Sequence, residues 1–163
     1  VAAGANGAVT VSDVDSWSSA IVASNVLLLQ FELPPEVVLR AARVAHDAGV
    51  MVVVNPSPFA APPSRLLAAA DVLVVNEGEA AALGDARVST VVTRGAGGAS
   101  WGDIAVAAKA AEVVDTTGAG DAFAGALAAR LADGASRRDA LEAAVAAGAS
   151  CVAHDGAQGW FFG

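Results

Sequence analysis

The sequence predicts an α/β fold: a mostly parallel sheet flanked by helices, with an antiparallel hairpin at one edge. Three observations predict it. Short apolar runs alternate with helix-period segments over about the first hundred residues, the pattern of strand–helix–strand crossovers. Pro, Gly and Asn punctuate the ends of those runs. Beyond Gly98 the period shortens into two arms around Gly102-Asp103, as an edge hairpin requires.

The elements follow in order. Val1–Val9 reads as the end of a strand and a turn around Gly4–Gly7. Thr10 and Asp13 have capping-box spacing, and Val11, Val14, Trp17 and Ile21 recur at helical spacing, with Trp17 expected to face the core. Leu27–Phe31 is a buried strand closed by Glu32 and Pro34. Pro35–Ala48 is a helix with Val38, Ala41, Ala42 and Ala45 on one face and Gly49 as its terminator. Val50–Val54 is the next strand, ending in the stiff loop Asn55-Pro56-Ser57-Pro58. Pro62–Ala70 is a short helix, Val72–Val75 a strand, Glu77–Leu83 a helix and Ser89–Thr93 a strand, followed by a turn at Gly95–Gly98. Ala99–Gly102 and Ile104–Ala107 form the hairpin, with Trp101 packing on it. Val113–Val114 reads as a further strand end. Helices over about Gly120–Ala132 and Arg137–Val152 close the chain, the latter capped by Ser136 with Asp139.

Composition limits the function. With 163 residues, 55% hydrophobic and 16% charged, the chain holds one sizeable core, and residues 1–163 are expected to form a single domain. No apolar run approaches the roughly 20 residues of a membrane span. Nine basic against seventeen acidic residues give a net charge of −8, which disfavours nucleic acid as a partner. An anionic ligand would have to be held by oriented N–H groups and Mg²⁺ rather than by a positive field. The single cysteine, Cys151, reads as a packed residue, and a reducing cytoplasm fits it.

In open α/β sheets, ligands bind beyond the carboxyl ends of strands. Polar residues collect at such ends here: Asn55; Asn76 and Glu79; Thr93, Arg94 and Gly95; and Asp115 to Asp121. The last group carries most information. Gly118, Ala119 and Gly120 are three small residues at a helix start, able to turn N–H groups toward an anion. Asp121 in the first turn can take a proton from an attacking hydroxyl. An ordinary glycine-rich helix start fits the same residues equally well. The segment has no Walker lysine, and no G-x-G-x-x-G follows an early strand.

Val114-Asp115-Thr116-Thr117-Gly118-Ala119-Gly120-Asp121-Ala122-Phe123-Ala124-Gly125 resembles the C-terminal signature of the PfkB carbohydrate-kinase family, and the chain is most similar to its ribokinases. Weaker matches follow in family order: Gly4–Ala8, Leu28–Pro34, Val54–Pro58, Asn76–Ala80, Val92–Gly95 and Gly156–Gln158. The resemblance implies a ribokinase-like three-layer fold and ATP-dependent phosphorylation of a primary hydroxyl on a small sugar. Ribose is the first choice, with adjacent sugars and nucleosides left open. It implies Asp121 as base, the Gly118–Gly120 backbone as anion hole, and Asn76, Glu79, Thr93 and Gly95 at the nucleotide phosphates. Glu79 would organise Mg²⁺ through water. Asp115, the Thr117 backbone and carbonyls of about Val152–Gly156 would hold a monovalent cation, K⁺. A homodimer is left open.

The chain departs from the family pattern in two ways. The sugar-binding motif and small lid that precede the Gly4–Ala8 match in relatives are not recognisable, so a fragment or truncated form is expected. The alternative to an enzyme is therefore a truncated, non-catalytic nucleotide-binding or interaction module. Val145 also stands about where relatives often place a polar residue near adenine, so base recognition is expected to be looser. His154 in the cation loop is expected to face solvent, His46 favours a helix C-terminus, and Trp160-Phe161-Phe162 is expected to pack back on the domain.

Overall fold

The computed structural model describes residues 4–108 and 110–157. Gln158 and the aromatic run Trp160–Phe162 lie outside the described residues, as does Val1. The chain divides between Thr90 and Val91 into two compact units.

The first unit opens with a 3₁₀ turn at Gly4–Ala8, where the sequence places a turn around Gly4–Gly7. Helix α1, Val11–Val22, starts with the capping box: the Thr10 side chain accepts from the Asp13 N–H, and Asp13 accepts from the Thr10 N–H at 2.8 Å. Strands β1 (Val26–Leu29), β2 (Met51–Val54) and β3 (Val72–Asn76) are parallel, with Val26 opposite Met51, Leu29 opposite Val54 and Val54 opposite Leu73. They are joined by α2 (Pro35–Asp47) and the short α3 (Ser64–Leu67), and α4 (Glu77–Leu83) follows β3 directly. Val52, Val53 and Val54 are all buried. Successive strand residues point to opposite faces, so both faces of β2 are covered, as a parallel strand demands.

The core of this unit joins Val14 of α1 and Val37, Val38, Ala42 and Ala45 of α2 to Val52, Val54, Leu66 and Leu73. Gly49, at φ +75°, ends α2 as expected. Trp17 does not face the core: it is 50% exposed. Val14 is the only fully covered side chain of α1, and a salt bridge from Arg40 to Asp15 at 2.7 Å pins α1 to α2 at the surface.

In the second unit, Val91, Val92 and Thr93 of β4 (Ser89–Thr93) pair antiparallel with Trp101, Ser100 and Ala99 of β5 (Ala99–Trp101). β5 turns at Gly102, φ +61°, into β6 (Ile104–Val106). Helices α5 (Ala119–Ala132) and α6 (Arg137–Cys151) pack along each other, burying Phe123, Ala124, Leu127 and Ala128 beside Ala140, Leu141, Ala144 and Val145. The Ser136 side chain accepts from the Asp139 N–H, the expected cap. Trp101 is 3% exposed, with the Arg137 guanidinium 5.2 Å above its ring, a cation–π contact that ties α6 to the hairpin. No helix among the described residues is long and apolar enough to cross a membrane.

Candidate nucleotide and phosphoryl-transfer site

The segment leading into α5 is held by the loop after α6. Val113 and Val114 are not a strand. They are irregular and 63% and 59% exposed. Two β-branched residues resemble a strand end, but here the Val114 and Asp115 N–H groups both donate to the Val152 carbonyl, at 2.8 and 3.2 Å. Oδ1 of Asp115 accepts from the Thr117 N–H (2.9 Å) and hydroxyl (2.7 Å), and Oδ2 accepts from the Gly156 N–H at 3.0 Å. The Thr117 backbone N–H, then its hydroxyl, then the Gly156 N–H hold the Asp115 carboxyl below its ordinary value.

Cys151 is fully buried and its thiol points at the Thr117 carbonyl, 3.4 Å away. Burial pushes this thiol up, and the Asp115 and Asp121 charges add to the effect. It is a packed cysteine, as its apolar helix pattern predicts. His154 is half-buried, its Nδ1 2.9 Å from the Ser150 carbonyl.

α5 begins differently from the chain's other capped helices. Thr10, Asn76 and Ser136 cap α1, α4 and α6 with side chains, whereas the N-cap of α5 is Gly118, left-handed at φ +79°. A glycine offers no oxygen to the first-turn donors. The Ala119 N–H turns back to the Thr116 carbonyl at 3.3 Å. Among the described residues, the N–H groups of Gly118, Gly120 and Asp121 have no backbone partner. Three donors at the positive end of a 14-residue helix can cradle an anion. A Cβ on Gly118 would lie 2.7 Å from the Ala157 Cβ, so glycine is needed there for both backbone angle and close approach. Asp121 is exposed in the first turn.

A cavity of about 620 Å³ opens beside this cradle. It brings together Thr93, Gly95, Ala119 and Gly120 of the predicted site residues. Phe123, Val145, Gly148 and Val152 form its apolar wall. Thr93 and Gly95 reach it because β4 ends there in a 3₁₀ turn, Gly95–Gly97, closed by the Gly98 carbonyl accepting from the Arg94 N–H at 2.8 Å. Asp115, Thr117, Gly118 and Asp121 do not line the cavity. The first two brace the cradle, and the others form or follow its turn.

The first unit holds its own polar rim. Asn76 and Glu79 form a complete capping box: Asn76 Oδ1 accepts from the Glu79 N–H (2.9 Å), and Glu79 Oε2 accepts from the Asn76 N–H (2.8 Å). Their relation in this structure is thus a helix cap. The Asn55 amide donates to the Val74 carbonyl at 3.0 Å, fastening β2 to β3. Asn6 and Glu32 meet at 3.1 Å beyond the end of β1. Sequence reasoning singled out neither as a site residue, although Glu32 is a strand-end carboxylate like the others.

The chain matches the pfkB family carbohydrate kinases over residues 8–160. It belongs to that family. The same relation extends to single proteins. Over 80 residues it is 40% identical to the bifunctional ribokinase/ribose-5-phosphate isomerase A of Fructilactobacillus sanfranciscensis, covering 49% of this chain and 15% of that one. The structure of Arabidopsis thaliana ribokinase complexed with ribose and ATP superposes with a TM-score of 0.82 at 29% identity, covering 88% of this chain and 54% of that one. The Burkholderia thailandensis nucleoside kinase, solved in complex with inosine, superposes with a TM-score of 0.74 at 25% identity, covering 90% and 56%. The pfkB chain therefore spans about half the length of these solved relatives. Its fold is the ribokinase-like three-layer α/β fold expected from the sequence, with a mostly parallel sheet and an antiparallel edge hairpin.

Proposed function

We propose that this chain carries the ATP-binding and phosphoryl-transfer part of a pfkB-family kinase acting on the primary hydroxyl of a small sugar, ribose being the first choice. The observation that carries the reading is the start of α5, which has no side-chain cap and where, among the described residues, three N–H groups lack backbone partners beside a large apolar cavity, with Asp121 in the same turn. The cavity takes the nucleoside and the cradle takes phosphate oxygens. Asp121 accepts the proton of the attacking hydroxyl. The hydroxyl oxygen then bonds to the γ-phosphorus as the bond to the β-phosphate oxygen breaks, and ADP leaves with that electron pair. The N–H groups of Gly118, Gly120 and Asp121 stabilise charge on the phosphoryl group in flight. The same backbone cradle was assigned from sequence to Gly118, Ala119 and Gly120. Because the Ala119 N–H turns back to the Thr116 carbonyl, the proposed donor set takes Asp121 in its place beside Gly118 and Gly120.

Among the described residues no three His, Cys, Asp or Glu side chains cluster to hold a metal. Mg²⁺, which would neutralise phosphate charge, would be organised by Glu79 through water, a role that rests on the family resemblance. For K⁺, the residues fit. The Asp115 carboxyl is held below its ordinary value, and among the described residues the Thr117 carbonyl has only the weak Cys151 thiol as donor. Both would contribute oxygens, and the ion would fix the shape of the turn. The family's nucleoside kinases keep nucleosides open as acceptors.

The test is ADP release by the product of the complete reading frame, with ribose, other pentoses and nucleosides in turn. Release that requires ATP and ribose is expected, and release indifferent to every acceptor would overturn the reading. The other reading is nucleotide binding without turnover. It predicts ATP binding with no acceptor-dependent release.

A further inference from the structure

The peptide units around Gly118 are fixed one by one. The unit between Thr116 and Thr117 is held at both ends. Its carbonyl accepts from the Ala119 N–H at 3.3 Å, and its N–H donates to Asp115 at 2.9 Å. The unit between Gly118 and Ala119 is held likewise, its carbonyl accepting from the Ala122 N–H at 2.8 Å. Between them lies the Thr117–Gly118 unit. Among the described residues its carbonyl meets one donor, the Cys151 thiol at 3.4 Å, and its N–H has no backbone partner.

A trans peptide unit is planar, with its C=O and N–H pointing in opposite directions. Among the described residues only the Ser57–Pro58 bond is cis. Whatever aims the Thr117 carbonyl therefore aims the Gly118 N–H the other way. Cys151 is well placed to do so. It is the last residue of α6, is fully buried, and its own carbonyl accepts from the His154 N–H at 3.2 Å. The Ala157 carbonyl lies farther from the thiol, at 4.0 Å. The thiol thus draws the Thr117 carbonyl toward the packed end of α6 and turns the Gly118 N–H away from it. Glycine restrains its own backbone least of all residues, so the unit before Gly118 needs a hold from outside. A carbonyl oxygen accepts twice, so the thiol leaves a lone pair for a cation.

We propose that Cys151 is a positioning residue for phosphoryl transfer: by holding the Thr117 carbonyl it aims the Gly118 N–H at the phosphate. Cys151 touches no ligand itself and acts only through this peptide unit. The proposal rests on the reading of the α5 start as the phosphate cradle.

Cys151→Ala removes the donor, and Cys151→Ser keeps one on a shorter bond. Calorimetric titration of this chain and both variants with MgADP, at constant K⁺, tests the proposal. MgADP affinity should fall about tenfold in Cys151→Ala, the worth of one hydrogen bond to a charged group. It should return to within about threefold of the unsubstituted chain in Cys151→Ser. Packing alone predicts the reverse order, since serine brings a buried hydroxyl where alanine brings none. Unchanged affinity in Cys151→Ala, or a serine variant as weak as the alanine one, overturns the proposal.

A second readout needs no nucleotide. Thr117–Gly118 is the only Thr–Gly pair in the sequence, so carbonyl-labelled threonine with nitrogen-labelled glycine isolates this unit by NMR. Its carbonyl signal should move upfield in Cys151→Ala and hold in Cys151→Ser. A signal unmoved in Cys151→Ala overturns the proposal and leaves the cradle reading standing. If Cys151→Ala does not fold, Cys151→Val, also without a donor, replaces it. If the unsubstituted chain binds no MgADP, the cradle reading falls and the proposal falls with it.

Discussion

The Gly156 N–H donates to Oδ2 of Asp115 at 3.0 Å, across 41 residues of chain. Oδ1 of the same carboxylate holds the Thr117 N–H and hydroxyl. One side chain therefore shapes the turn before α5 and fastens it to the loop after α6. The cradle depends on that double grip.

Acid should release it. The Asp115 carboxyl titrates below its ordinary value, chiefly because it accepts from the Thr117 backbone N–H. A depressed folded-state value means the stabilisation is complete above the unfolded value and is lost as pH falls below about 3.8 toward the folded one. Asp115→Asn should flatten that part of the pH dependence of thermal unfolding. An unchanged acid limb in the variant would show that Asp115 does not contribute there.

Two glycines of the same helix should respond oppositely to alanine. Gly118 is left-handed and would place a Cβ 2.7 Å from Ala157. Gly118→Ala should cost more than about 1 kcal/mol in stability and weaken nucleotide binding. At Gly125, inside α5, a Cβ meets nothing within 4 Å. Gly125→Ala should stabilise by about 0.5–1 kcal/mol and leave binding unchanged. Denaturant titration and calorimetry read both.

Asn76 has a structural task that can be separated from any ligand role. Asn76→Ala removes the cap of α4 and should cost about 1 kcal/mol. Asn76→Asp keeps an oxygen for the Glu79 N–H and should retain stability. Nucleotide titration of Asn76→Asp with and without Mg²⁺ then reports on the ligand role alone. Normal Mg²⁺-dependent binding there would leave Asn76 only its cap.

Cys151 should be inert in the folded chain, being fully buried with a raised thiol value. A thiol reagent should label it only on unfolding, and the rate should follow the opening of the loop after α6. Rapid labelling of the native chain would contradict the packing of that loop.

The strands were legible because buried β-strands leave continuous apolar runs, and Val52–Val54 could be little else. Two caps were legible because Thr10 and Ser136 each stand three residues before an acid. Trp17 was misplaced because periodicity identifies a helix face without saying how wide its contact is, and α1 buries only Val14 fully. Val113–Val114 was misread because β-branching suggests a strand, while the loop contact that fixes Val114 lies far along the chain. The cradle residues were visible as small residues before a helix. That Ala119 would spend its N–H on Thr116 depends on the exact turn, which residue type does not encode. The apolar cavity wall was foreshadowed only at Val145.

The central claim is that Asp121 is the base beside this cradle, and turnover by Asp121→Asn in the product of the complete reading frame tests it most directly. With folding and ATP affinity retained, ribose- and ATP-dependent ADP release should fall by at least about 100-fold, the lower range for loss of a general base. Release comparable to that of the unsubstituted protein would contradict the assignment.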